Sequence, residues 1–206
     1  MRQTRIIVGI LVLVIAGGGF WIAMKGGHFG PIGGSGKSAN QVQIGGPFEL
    51  TDHLGNPVTD SSYQGRYTLV FFGFTFCPDV CPTTLSTISA ALDMLGDDVK
   101  RVRPLFITVD PERDTPEYLR EYLVHFHPGI VGLTGTPEQI KSVAKAYGVY
   151  YAKSLQEGDD PEDYLVDHTS LTFFMDEDGE YAAHFSHSTQ AKAMADKMKK
   201  ILSEDS

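Results

Sequence analysis

Hydrophobic residues divide the chain into an apolar N-terminal segment and a later region where strand patterns alternate with helix patterns. The stretch from Ile6 to Met24 contains no charged residue. Continuous apolar runs predict buried strands over residues 68–74 and 102–109. Between these strands, apolar residues recur at the spacing of one helix face: Leu85, Ile88, Leu92 and Leu95.

The rest of the later region continues this alternation. Two helices are predicted to begin at Thr115–Pro116 and Thr136–Pro137, where a capping residue precedes a proline, and a last helix covers 189–202. Two hairpins are predicted, one with arms at 149–153 and 164–166, the other with arms at 171–175 and 181–185. This order predicts an α/β sandwich around a mixed central sheet.

The N-terminal apolar segment has the length of a membrane-spanning helix. Its 19 residues would extend about 28 Å as a helix, close to the thickness of the hydrocarbon core. Arg2 and Arg5 precede it, which favours a cytoplasmic N-terminus and a domain on the other side. We predict a retained anchor over residues 1–25, in a bacterial inner membrane with the soluble domain in the periplasm. A cleaved signal peptide is the alternative.

Composition separates a linker from the soluble domain. Residues 26–46 contain eight glycines and few large apolar side chains, which is typical of a flexible tether. Residues 47–206 are then the folded domain.

The chain carries a formal charge of −9, and its first 25 residues contain three basic residues and no acidic one. Nucleic acid is therefore excluded as a partner, because phosphate binding needs clustered basic residues.

The two cysteines, Cys77 and Cys81, lie between the first predicted strand and its helix. Pro82 suits the first position of a helix, which predicts Cys81 as the N-cap. The Cys81 sulfur would then face unpaired N–H groups at the positive end of the helix dipole. Such a position favours the thiolate, the form that attacks disulfides and binds metals.

The spacing of three residues between the cysteines permits either a disulfide or a metal site. Soft thiolates select Cu(I) and also Zn(II), but two sulfurs alone leave a site incomplete. His168, just before the strand at 171–175, is the best candidate for a third donor, although a structural role is equally consistent with its position. The other histidines have weaker positions: His28, His53, His125, His127, His184 and His187.

Three stretches resemble one known family in the same order along the chain. Residues 73–82, GFTFCPDVCP, are similar to the signature of the SCO/SenC family. Residues 110–115, DPERDT, resemble its charged loop, and residues 164–169, YLVDHT, resemble its histidine segment. The resemblance implies a thioredoxin-like fold behind an N-terminal membrane anchor. It also implies a copper protein needed to assemble the binuclear copper centre of cytochrome c oxidase.

Carried over position by position, the family's copper ligands fall on Cys77, Cys81 and His168. The resemblance implies one copper per chain, as Cu(I), Cu(II) or both. It implies a metallochaperone that delivers copper to the oxidase's copper-bearing subunit or keeps that subunit's cysteines reduced. Other copper chaperones and thioredoxin-like reductants are further possible partners. The alternative is a thiol–disulfide oxidoreductase that uses Cys77 and Cys81 catalytically, so the sequence does not decide whether the protein is an enzyme.

Several neighbouring residues have expected roles around this site. Phe76 is expected to shield it from water, and Asp167 either orients His168 or points away from it. Arg113 with Asp110 and Asp114 is expected to form a structural ion-pair loop. A peroxidase is disfavoured because no arginine is predicted beside the cysteine turn.

Overall fold

The computed structural model describes residues 43–155 and 164–204. Nine strands and four α-helices occupy these residues, with short 3-10 helices at Asp60–Tyr63 and Gly96–Arg101. In chain order they are β1 (Glu49–Asp52), β2 (Pro57–Thr59), β3 (Tyr67–Gly73), α1 (Val80–Asp93), β4 (Val102–Thr108), α2 (Pro116–Leu123), β5 (Val131–Thr134), α3 (Pro137–Ala146), β6 (Tyr151–Ser154), β7 (Leu165–His168), β8 (Leu171–Met175), β9 (Tyr181–Ser186) and α4 (Ala191–Glu204).

Seven strands form one mixed sheet, in the order β2-β1-β5-β4-β3-β8-β9. Strands β3, β4 and β5 are parallel, while β1, β8 and β9 are antiparallel to their neighbours. Strand β3 is buried along its whole length, as expected for a strand covered on both faces. Strands β6 and β7 pair only with each other in a separate two-stranded sheet.

Helices cover both faces of the large sheet. Right-handed crossovers place α1 and α2 on the same face of the parallel strands, and Ser89 of α1 accepts a hydrogen bond from the His127 N–H just after α2. Helix α4 packs against α1. Side chains alternate along β3, so Phe72 points to the other face, where its ring lies 5.3 Å from the ring of Tyr147 after α3. Helices therefore cover both faces of the sheet at the C-terminal end of β3, where the cysteine loop begins.

The predicted elements are confirmed, with ends shifted by at most two residues. Thr115 and Thr136 cap α2 and α3 through their hydroxyl oxygens, each ahead of a proline. Gly96 follows α1 with a φ of 64°, a left-handed conformation that glycine adopts at low cost.

The predicted anchor at residues 1–25 and most of the predicted linker lie outside the described residues. Among the helices at 43–155 and 164–204, none has the length and apolar character needed to cross a bilayer. The domain boundaries given in the sequence analysis stay predictions.

Candidate metal centre

The cysteine loop connects the C-terminal end of β3 to α1 and places the two thiols at different depths. Cys81 is fully buried, whereas Cys77 is partly exposed, and neither forms a disulfide. Gly73 makes the close approach possible, because a Cβ on it would lie 2.9 Å from the Cys81 Sγ and 2.8 Å from the Phe106 ring. A larger residue at position 73 would push Cys81 away from the strand.

The predicted N-cap is wrong. Helix α1 begins at Val80 and Asp79 occupies the cap position, although its side chain makes no capping hydrogen bond. Cys81 therefore lies inside the first turn, and its backbone N–H donates to the Cys77 Sγ at 3.4 Å. The sulfur that faces the positive end of the helix is that of Cys77.

His168 ends strand β7 and brings its imidazole to the buried cysteine. Its Nε2 lies 3.5 Å from the Cys81 Sγ. Its Nδ1 lies 3.1 Å from the carbonyl oxygen of Thr169, which can only accept, so Nδ1 carries the hydrogen. The Nε2 lone pair is thus directed at the sulfurs, as a metal ligand requires.

The exposed side chain of Asp167 does not orient the imidazole. The Thr169 carbonyl holds the Nδ1 position that an orienting carboxylate would take. Side-chain alternation along β7 explains this, since neighbouring residues point to opposite sides of a strand.

The two thiols differ strongly in acidity. The pKa of Cys77 falls to about 4, mainly because the Cys81 thiol donates a hydrogen bond to its sulfur. Burial opposes this shift, while the N–H groups of Asp79 and Cys81 add to it. The same hydrogen bond and burial raise the pKa of Cys81. At neutral pH the pair therefore holds one thiolate, on Cys77, and one thiol, on Cys81.

This asymmetry predicts how the cysteines react with iodoacetamide. Because the folded pKa of Cys77 lies far below the ordinary 9.0, its alkylation rate should be nearly constant between about pH 6 and pH 9. Cys81 should react much more slowly, since it is buried and protonated. Mass spectrometry of alkylated peptides measures both rates.

The matched variant is Cys81→Ala, which removes the main hydrogen bond to Cys77. Its Cys77 rate should rise with pH across the same range. A wild-type rate that rises about tenfold per pH unit up to pH 9 would mean that Cys77 is an ordinary thiol.

Aromatic rings enclose the imidazole on the inner side. The Phe74 ring stands nearly perpendicular to the His168 ring with centroids 5.9 Å apart, and Phe71 contacts the same ring at 6.3 Å. Both phenylalanines are buried. The expectation for Phe76 is not met, because its side chain is 52% exposed. The alternation of side chains along β3 could have identified Phe71 as a residue that faces the site. Phe74 lies in the turn after the strand, where no such pattern applies.

The charged loop after β4 forms one part of the expected ion-pair loop, the pair between Arg113 and Asp110, whereas Asp114 takes part through hydrogen bonds. Asp114 is completely buried and accepts hydrogen bonds from the Thr108 hydroxyl at 2.6 Å and the Thr75 N–H at 3.1 Å. Thr75 lies two residues before Cys77, so this carboxylate holds the cysteine loop on the end of β4.

An arginine does lie beside the cysteine turn, contrary to the expectation that disfavoured a peroxidase. The Arg113 guanidinium lies 4.7 Å from the Phe76 ring, next to the cysteine turn. That guanidinium pairs with Asp110 and lies 3.7 Å from the Tyr164 ring. No pattern in the sequence indicates that Tyr164 contacts this arginine.

The three predicted ligands are the donors that the fold brings together. Two sulfurs and one imidazole nitrogen form a soft donor set of the kind that suits Cu(I) and Zn(II). The donors contact one another directly. Within residues 43–155 and 164–204, no group of three His, Cys, Asp or Glu side chains is already arranged around a common metal position. Metal entry would therefore replace hydrogen bonds between the donors.

Three of the other described histidines make hydrogen bonds away from the cysteines. His53 and His127 accept backbone hydrogen bonds from Gly132 and Gly129, and His184 contacts the hydroxyl of Tyr181.

Comparison with known proteins agrees with this arrangement. The sequence model of the SCO1/SenC family matches residues 36–203. The SCO2-like protein of Rickettsia prowazekii is 42% identical over 160 residues, which cover 78% of each chain.

Solved structures with copper bound are also similar. ScoI of Arabidopsis thaliana has a TM-score of 0.73 at 40% identity, covering 78% of this chain and 99% of that one. ScoI of Bradyrhizobium japonicum has a TM-score of 0.70 at 45% identity, covering 76% and 98%. With a thioredoxin-like sheet and a family match over most of its length, the chain belongs to the SCO1/SenC family.

Proposed function

We propose that this protein is a copper-binding chaperone that serves the binuclear copper centre of cytochrome c oxidase. Cys77, Cys81 and His168 would hold one copper. The observation that carries the proposal is the 3.5 Å approach of the His168 Nε2 to the Cys81 Sγ, with Nδ1 turned away to Thr169. Copper-bound relatives of the same fold support copper as the metal.

Copper is the cargo, and delivery would proceed by ligand exchange. Thiolates of the oxidase's copper-bearing subunit would displace the three donors in turn. Cys77 and His168 are partly exposed and can be reached by a partner, whereas Cys81 is buried. The Cys77 thiolate needs no proton removed before it binds copper, whereas Cys81 must lose its proton.

The second candidate function is reduction of the subunit's cysteines. In that step the Cys77 thiolate attacks a disulfide sulfur, and Cys81 then displaces the second partner thiol. The partner gains two thiols while Cys77 and Cys81 become a disulfide, so two electrons move between the proteins. The thiolate on Cys77 and the nearby Cys81 thiol favour this candidate, and both functions need both cysteines.

The proposed setting is a single-pass anchor at residues 1–25 in a bacterial inner membrane, with the domain in the periplasm. The charge-free stretch at 6–24 supports this placement. A flexible tether at 26–46 would let the site reach a membrane-embedded partner.

Copper titration of the full chain tests the proposal. The reduced protein should take up one copper with a thiolate-to-Cu(II) absorption band, because two sulfurs are then available. The protein oxidised to the Cys77–Cys81 disulfide should bind none tightly. Metal analysis after desalting gives both stoichiometries.

Equal copper uptake by the reduced and oxidised forms would contradict a cysteine site. No tight copper in either form, together with fast reduction of a small-molecule disulfide, would instead favour the reductase.

A further inference from the structure

The proposed copper ligands come from two segments that no sheet hydrogen bonds join. Cys77 and Cys81 follow β3 of the seven-stranded sheet. His168 ends β7, which pairs only with β6. Only Thr169 and Ser170 connect β7 to β8, which pairs with β3. The distance between imidazole and sulfurs therefore depends on this short connection together with side-chain contacts between the hairpin and the rest of the domain.

Arg113 lies between aromatic rings from both segments. Its guanidinium carbon is 4.7 Å from the ring centroid of Phe76, the residue before Cys77. It is 3.7 Å from the ring centroid of Tyr164, just before β7. A cation over an aromatic face is attracted by the ring quadrupole, and more strongly where water is excluded. One cation thus holds a ring from each ligand-bearing segment.

The arginine is itself held in place. Its Nε donates to Asp110, whose side chain is 1% exposed. The other oxygen of Asp110 accepts from the Tyr164 hydroxyl at 2.7 Å. The Nη1 and Nη2 atoms of Arg113 are buried without a hydrogen-bond partner in the described part of the chain. These nitrogens therefore lie against the rings of Phe76 and Tyr164 instead of a hydrogen-bond acceptor.

We propose that Arg113 is a positioning residue of the metal centre, which holds the β6–β7 hairpin against the cysteine loop. Phe76 and Tyr164 are the two surfaces that it joins, and Asp110 fixes it to the end of β4. The part of this inference that concerns copper rests on the proposed function. The coupling between hairpin and cysteine loop does not, and it can be measured in the metal-free protein.

The test replaces Arg113 by methionine, which keeps much of the length and removes the charge. In the reduced, metal-free protein, amide hydrogen exchange over 151–154 and 165–168 should become about tenfold faster, while exchange in β3 and β4 stays unchanged. Copper affinity should fall by about tenfold or more, as for other residues that orient ligands, with a shifted thiolate-to-Cu(II) band. Arg113→Lys should speed up hairpin exchange and lower copper affinity less than Arg113→Met does, because lysine keeps the charge without the planar fork.

The matched control is Arg120→Met, on the exposed side of α2, which should behave like the wild type. Phe76→Leu serves as a second variant that removes one ring from a half-exposed position and spares the core. It should change hairpin exchange and copper affinity in the same direction as Arg113→Met.

Unchanged hairpin exchange in both Arg113→Met and Phe76→Leu would overturn the inference. Faster exchange throughout β3 and β4 would also overturn it, since Arg113 would then support the whole fold. If the hairpin loosens selectively but the wild type binds no copper, the positioning role stands and the proposed function fails.

Discussion

Replacing His168 by alanine should lower the Cu(II) affinity of the reduced protein by at least about a hundredfold. Loss of a residue that merely orients a ligand costs about 10- to 100-fold in metal affinity, and loss of the ligand itself should cost more. The His168 Nε2 is directed at the Cys81 sulfur, and Phe71 and Phe74 leave little room for water to replace it. Competition with a chelator of known affinity measures the change.

The matched control is His184→Ala on β9, which removes an exposed imidazole away from the cysteines. That variant should keep wild-type copper affinity and the same charge-transfer band. If both variants bind copper equally well, His168 is not a ligand. His168→Ala also separates the two functions, because a pure reductase would keep its disulfide-reducing activity, and oxidase assembly would then fail only when a cysteine is replaced.

Replacing Asp114 by alanine should lower the free energy of unfolding by about 3 kcal/mol. Asp114 is fully buried and accepts hydrogen bonds from Thr75 and Thr108. Its removal leaves buried donors unsatisfied, each costing about 1–3 kcal/mol. The Thr75 N–H lies in the loop before Cys77, so the variant should also bind copper less tightly. Urea unfolding of both proteins at equal metal content measures the loss.

This loss should depend on pH in a defined direction. Burial raises the pKa of Asp114 above 3.8, against the hydrogen bonds from Thr108 and Thr75 that lower it. A folded pKa above the unfolded one gives stability that is present below the unfolded pKa and disappears as pH rises through the folded pKa. The variant's deficit should therefore be larger near about pH 4 than near about pH 7.

Asp79→Ala is the control, because it removes an exposed carboxylate from the cysteine loop that Asp114 contacts through Thr75. Asp79 is exposed and its side chain makes no capping hydrogen bond, so the free energy of unfolding should change by less than about 0.5 kcal/mol. An equal decrease of the free energy of unfolding in both variants would show that the buried hydrogen bonds of Asp114 do not stabilise the fold more than an exposed carboxylate does.

Much of the fold could be predicted because local rules and the global structure agree. The apolar runs at β3 and β4 are buried on both faces, and Thr115 and Thr136 begin helices where their sequences predict it. Met194 and Met198 recur at helical spacing and are core residues of α4.

The prediction failed where a few residues decide geometry. Pro82 suggested a helix starting after Cys81, but the helix begins earlier, so the sulfur at its N-terminus belongs to Cys77. Proline is tolerated throughout the first helical turn, since N–H groups there have no partner in the helix, and its position could not fix the start. The sequence predicts that Phe76 shields the site from water, yet half of its side chain is exposed and its ring lies against Arg113.

The sequence by itself determined the order of elements, the cysteine turn and, through the family resemblance, the three candidate donors. Those features are local, because periodicity, caps and motifs are written in neighbouring residues. Only the tertiary structure decided which thiol is ionised, which imidazole nitrogen faces the sulfurs, and that Arg113 meets Phe76 and Tyr164. These depend on distances between residues far apart in the chain, and such distances are set by packing.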